Sequence, residues 1–154
     1  MKKILLLLTT FLLLTSCQTK EEIEEKKKQE EIKILKEEIN NREVPENTKK
    51  WILENETEKV LTILCISTST KCNKLKENIG TINKSIKTYF FNVDELSEEE
   101  LKTYKTKYNL EDYTGYLPYI IVSERNKLIT TIKDKYKTEE IIEILKREKL
   151  IADL

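Results

Sequence analysis

Between Lys59 and Leu145, near-continuous apolar runs alternate with segments whose apolar residues recur every three or four positions. That alternation leaves little room for any fold other than a sheet layered with helices. Val60, Leu61, Ile63, Leu64 and Ile66 crowd the stretch Lys59–Ile66, the composition of a strand covered on both faces. Thr68, Ser69 and Thr70 then offer N-caps. The helix they open carries Cys72, Leu75, Ile79, Ile82 and Ile86 on one stripe. Ile86–Val93 reads as a second strand. Ser97-Glu98-Glu99-Glu100 has the form of a capping box, opening a helix with Leu101, Tyr104 and Tyr108 at core spacing. Past a loop containing Asp112 and Gly115, Tyr119–Val122 and Lys127–Ile132 are strands separated by Ser123–Asn126, the spacing of a hairpin. Thr138 is placed to cap a closing helix. Its broad apolar face is Ile141, Ile142, Ile144 and Leu145, and Lys146–Lys149 lie at the end the dipole favours.

Upstream, Asn47 or Thr48 can cap a short helix running through Glu54, with Trp51 and Ile52 turned inward. Two asparagines and Val44-Pro45 break the chain just before it, because the residue preceding proline is pushed away from helical angles. The expected architecture is an α/β domain whose mixed sheet is parallel in its first half and ends in an antiparallel hairpin, flanked by helices. Only weak strand material around Val44 precedes Asn47, so a first strand is weak or missing. Residues 19–41 are dominated by Glu, Lys and Gln and favour helix. Ile32, Leu35 and Ile39 fall at helical spacing, but Glu25 and Lys28 occupy the matching positions upstream, so the segment reads as a solvated helical spacer.

The N-terminus has its own logic. Lys2 and Lys3 precede an apolar run from Ile4 to Leu14, about eleven residues where a bilayer-spanning helix needs about twenty. The run ends in Leu14-Thr15-Ser16-Cys17, which resembles the lipobox of bacterial lipoproteins. The resemblance implies a signal peptide over 1–16 and a diacylated Cys17 as the new N-terminus. It further implies a lipidated spacer over 17–44, a folded domain over 45–154, and attachment to a membrane of the cell envelope. Gln18 after the cysteine leaves the outer membrane or cell surface open.

Composition excludes several functions. The chain contains 28 basic and 28 acidic residues, and losing Lys2 and Lys3 leaves it slightly acidic. Lysines interleaved with glutamates make no positive face for nucleic acid. No histidine is present, which removes Ser-His-Asp and Cys-His catalysis and every histidine-containing metal site. No metal and no cofactor is expected. With Cys17 assigned to lipid, Cys65 and Cys72 carry any redox chemistry.

The stretch from Val60 to Ile79, with Ser69-Thr70-Lys71-Cys72 at its centre and Tyr116-Leu117-Pro118-Tyr119 downstream, resembles the strand, redox loop, helix and cis-proline of the thioredoxin superfamily. The resemblance implies that Pro118 opens the strand before the hairpin in the cis form. It also implies that Tyr113, Tyr116, Leu117 and Tyr119 flank a groove for polypeptide. Residue by residue, Cys72 takes the place of the second cysteine of the redox pair and Ser69 that of the first; the other register would put Leu75 second. The family's exposed first thiol sits at a helix N-terminus, where the dipole lowers its pKa. A serine hydroxyl is scarcely ionised at neutral pH and no histidine is present to take its proton. The buried carboxylate that the family keeps on the preceding strand is replaced by Ile63, and the aromatic before the first cysteine by Thr68.

Cys65, in an apolar run, reads as a small buried hydrophobe. A bond to Cys72 needs Cα atoms within about 7 Å and converging Cβ vectors, which a strand leading into a helix disfavours. Two functions remain, beside a structural reading in which the lipid and spacer position a partner and the domain is a stable head. One is a lipid-anchored, monomeric thioredoxin-like module that has lost dithiol chemistry and binds a protein partner in the envelope. The other is a single-thiol oxidoreductase acting through Cys72.

Overall fold

The computed structural model describes residues 20–108 and 117–152. The chain divides between Asn41 and Arg42 into two compact units. In the first, helix α1 (Lys20–Asn40) is about 30 Å long at 1.5 Å per residue. Glu24 and Lys28 pair one turn apart on it, and Ile23 and Ile34 are about half exposed.

The second unit runs through α2 (Glu46–Thr57), β1 (Lys59–Cys65), α3 (Thr70–Asn83), β2 (Lys87–Asn92), α4 (Glu98–Tyr108), β3 (Tyr119–Glu124), β4 (Lys127–Lys133) and α5 (Thr138–Arg147). Its sheet has the order β2-β1-β3-β4. β1 is parallel to β2 and antiparallel to β3, and β3 is antiparallel to β4. The mixed sheet expected from the sequence is therefore present. Among the described residues no strand lies before α2, in keeping with a weak or missing first strand. The turn between β3 and β4 is only Arg125-Asn126, both at positive φ, so the strands reach two residues further into the hairpin than their apolar content suggests. Main-chain bonds from Arg125 N–H to Glu58 O and from Asn126 N–H to Asn55 O hold this left-handed turn.

β1 is buried along its length from Val60, as its composition requires. On one face Leu61, Ile63 and Cys65 join Ile120, Val122 and Ile132, and against them pack Cys72, Leu75 and Ile82 of α3 with Ile141 and Leu145 of α5. The opposite face is aromatic and polar. The fully buried Trp51 ring lies 4.3 Å from Tyr104 and 6.1 Å from Phe91, centroid to centroid, and its Nε1–H donates to Thr62 Oγ1 at 2.8 Å. Asn55 of α2 accepts from Ser123 of β3. Tyr89 donates to Glu54, and burial first, then that carboxylate, raises its phenol pKa.

Two expected caps are corrected. α2 starts at Glu46 with Pro45 before it, so neither Asn47 nor Thr48 is the cap. Thr48 turns inward on the α2 stripe with Trp51, Ile52 and Asn55, and its hydroxyl donates to Glu100 instead. Thr138 is the first helical residue of α5, buried, and Lys137 precedes it without a side-chain cap.

The Ser97 box forms as expected. Ser97 N–H and Oγ–H donate to Glu100 Oε2 at 3.0 and 2.9 Å, Glu100 N–H donates to Ser97 Oγ at 3.3 Å, and Thr48 donates to Glu100 Oε1 at 2.6 Å. Burial pushes the Glu100 carboxyl pKa up, but the bonds from Thr48 and Ser97 outweigh it and the pKa is lowered. A depressed folded pKa means that the ionised carboxylate stabilises the domain above the ordinary glutamate range. That contribution is lost as the pH falls through the depressed value. Glu100→Gln is therefore expected to cost about 1–3 kcal/mol at pH 7. The difference from the native chain in urea midpoint should shrink towards pH 3, and a pH-independent difference would refute the assignment.

Candidate functional site

The end of β1, the loop 66–69 and the first turn of α3 form the site. Side chains alternate along a strand, so Cys65 shares the face of Leu61 and Ile63, the face that α3 covers. Cys72 stands three residues before Leu75 and ten before Ile82 on the α3 stripe that meets that face. Ser69 N–H donates to Ile66 O, closing a tight turn that brings the helix start beside the strand end. The Cα atoms of Cys65 and Cys72 are 5.8 Å apart and their sulfurs are bonded. Neither has measurable exposure.

This corrects two readings. Cys65 is not merely a small hydrophobe, and the return of the chain over four residues lets the sulfurs meet although a strand leading into a helix disfavours it. Cys72 is buried, as its place on the stripe implies, but it is a half-cystine and has no thiol to ionise. A signal for the pairing was present in the sequence: Cys65 has the parity of Ile63, and Cys72 the helical phase of Leu75.

Ser69 is the N-cap of α3, its Oγ accepting from Cys72 N–H at 3.3 Å. Thr70 and Lys71 form the exposed start of the helix. The Lys71 ammonium donates to Asp134 Oδ1 at 2.6 Å and lies 5.7 Å from the Tyr136 ring centroid. The hydrogen bond to Asp134, then its charge, raises the Lys71 pKa. On the other side of the loop, Asp94 accepts from Ser67 N–H at 3.0 and 3.1 Å and from the Ser67 hydroxyl. These bonds hold its carboxyl below the usual range. Asp94 and Asp134 clamp the two ends of the motif, and no local spacing announces either of them.

The Leu117-Pro118 bond is cis. Pro118 is buried, its carbonyl accepts from Asp134 N–H at 3.1 Å, and Leu117 packs on the cluster that contains Cys65 and Cys72. The proline is therefore in the cis form that the resemblance implies. Tyr119 is buried at 8 % exposure, with the Lys133 ammonium 5.6 Å from its ring centroid, so it contributes little groove surface. Tyr113, Tyr116 and Cys17 lie outside the described residues, as does the side chain of Tyr108. Ile63 is fully buried in the apolar cluster. The buried carboxylate among the described residues, Glu100, belongs to the α2–α4 network rather than to this site. No group of three or more Cys, Asp or Glu side chains able to hold a metal occurs among the described residues.

No protein-family model matches the chain, and no curated protein matches it. Among solved structures it is similar to the thioredoxin of Fasciola hepatica, with 14% identity over 65% of this chain and 89% of that one at a TM-score of 0.47. Oxidised thioredoxin from Plasmodium falciparum gives 12%, 62%, 86% and 0.46. A mutant thioredoxin from Halobacterium salinarum gives 13%, 72%, 89% and 0.49. Independently of these figures, the strand order, the parallel β1–β2 pair, the antiparallel hairpin and the cis proline before β3 make this a thioredoxin-like α/β fold.

Proposed function

We propose that this chain is a lipid-anchored thioredoxin-like module of the bacterial cell envelope that binds a protein partner and does not carry out dithiol exchange. One observation carries the second half of the reading. The sulfur at the resolving position is tied to Cys65 in the core, and the helix N-cap that would hold the attacking thiolate holds the Ser69 hydroxyl.

Thiol–disulfide exchange needs a thiolate that reaches a substrate sulfur. Here a half-buried hydroxyl, that of Ser69, stands at the position of the attacking thiol, and the sulfurs are fully covered. Ile63 offers no carboxylate to move a proton to or from Cys72. The single-thiol alternative loses ground for the same reason, since Cys72 has no free thiol while the bridge stands. Envelope location and anchoring rest on Leu14-Thr15-Ser16-Cys17 and on the charged spacer behind them.

The test is insulin reduction with dithiothreitol as electron donor. The native chain is expected to add nothing to the uncatalysed rate, and turnover well above that rate would overturn the proposal. In the producing cell, Cys17→Ala should move the chain out of the membrane fraction; unchanged membrane retention would remove the lipid anchor.

A further inference from the structure

The sheet has two outer edges, and only one of them carries a bulge. β4 carries a register irregularity at Val122/Ser123 that leaves Ile129 without a counterpart, and Lys127 and Lys133 stand at its ends. A bulge and terminal lysines are the devices by which edge strands avoid pairing with another chain. β2 has no bulge, and its one terminal lysine, Lys87, is paired with Glu54 and Glu58. Its register with β1 is regular from Lys87 to Asn92, and its centre is Tyr89-Phe90-Phe91.

The free side of β2 can be followed atom by atom. In a parallel pair, alternate residues direct both main-chain groups to the same side. Val93 N–H donates inward to Cys65 O, so Thr88, Phe90 and Asn92 direct theirs outward. Thr88 N–H is taken by Asn83 Oδ1 at 3.0 Å, and Asn92 O accepts from Glu95 N–H at 3.0 Å. Between these two plugs the Phe90 N–H and C=O have no main-chain partner among the described residues. Phe90 lines a cleft of about 240 Å³ together with Phe91, Lys76, Leu96, Glu95 and Glu100; Asn92 donates to the Glu95 carboxylate, and Thr48 and Ser97 donate to that of Glu100.

We infer that this edge takes an extended segment of a partner polypeptide, added as one more strand beside β2 and centred on Phe90. The inference names the surface through which the proposed binding module works, and so rests on that reading. The cleft lies between the start of α2 and Leu96–Glu100; β2 itself has no acidic residue to set beside Lys76, so the β2 of a second copy is not the occupant. Charge selects the residue opposite Phe90. The Lys76 ammonium lies 5.5 Å from the Phe90 ring centroid and is in no ion pair among the described residues, so the partner side chain on that face is acidic. The neighbouring side chains of the partner point to the opposite face, towards Phe91, Leu96, Thr48 and Glu95, and are uncharged.

The probe is a phage-displayed random heptapeptide library panned on the full chain. Enriched peptides are expected to place one acidic residue between uncharged ones. Synthetic copies should lose at least tenfold in affinity when the backbone amide beside the acidic residue is methylated, because strand addition is made through main-chain hydrogen bonds. Phe90→Pro removes the outward N–H but no bond to β1, and should weaken binding to a similar degree. Lys76→Glu, at an exposed position of α3, should switch selection from acidic to basic residues. Ile129→Asp on β4 should leave binding unchanged.

Failure to enrich any peptide overturns the inference. So do binders indifferent to both amide methylation and Lys76→Glu, or a concentration-dependent dimer abolished by Phe90→Pro. Dithiol turnover on insulin would instead fail the proposed function, so the two failures are separable.

Discussion

Trp51→Ala is expected to destabilise the domain by about 3–5 kcal/mol, the range for emptying a large aromatic site in a packed core. Trp51 is fully buried, tilted against Tyr104 at 4.3 Å and edge-on to Phe91 at 6.1 Å. It therefore holds α2, α4 and β2 together on one face of the sheet. The substitution also leaves Thr62 Oγ1, buried in β1, without its indole donor. Trp51→Phe should cost less, because a ring still fills most of the space, and the difference between the two variants separates packing from the hydrogen bond. Urea denaturation of the full chain measures both. A loss under 1 kcal/mol for Trp51→Ala would show that the aromatic face does not hold the domain together.

Cys72→Ala is expected to lower stability by about 2–3 kcal/mol, the loop-closure value for a bridge between residues 7 apart in sequence. Reduction should have a similar effect on the native chain and none on the variant. The comparison isolates the bridge from the side chain, since a buried alanine and a buried reduced cysteine differ little in packing at this site. In the unfolded native chain without reductant, Cys65 and Cys72 should contribute no titratable thiol, and after reduction two. Thiols at both positions before reduction would remove the bridge, and with it the observation that sets this domain apart from a single-thiol oxidoreductase.

The elements of the fold were legible wherever a period was long and the burial one-sided. β1 declared itself through its continuous apolar run, α3 through Leu75 and Ile82, and α4 through Ser97 and Glu100, because these patterns are local and the physics that reads them is local. The Pro118 loop was legible through resemblance alone; nothing in its composition requires a cis bond. The caps at Thr48 and Thr138 were misread for one common reason. A threonine near a helix start has the chemistry of a cap, but burial can assign its side chain to a partner far along the chain, as Glu100 shows for Thr48 at a separation of 52 residues.

The candidate site was half legible. The Ser69 cap and the buried phase of Cys72 followed from spacing. The bridge to Cys65 needed two parities to be compared across a turn whose length decides whether the sulfurs meet. Asp94 and Asp134 gave no sign at all. They reach Ser67 and Lys71 from 27 and 63 residues away, and they matter only once β2 and β4 have been laid on either side of β1.

By itself, then, the order of residues determined which segments become strands and helices, and which chemistry is missing: no histidine in the chain, serine where the exposed thiol would stand, isoleucine where the carboxylate would stand. Those are properties of residue type and near-neighbour spacing, and they survive any arrangement of the elements. Which sulfur bonds to which, which acids clamp the loop and which sheet edge stays open were decided only by the tertiary structure. Each depends on a distance between atoms far apart in the chain, and packing of the two faces of one sheet is what sets those distances.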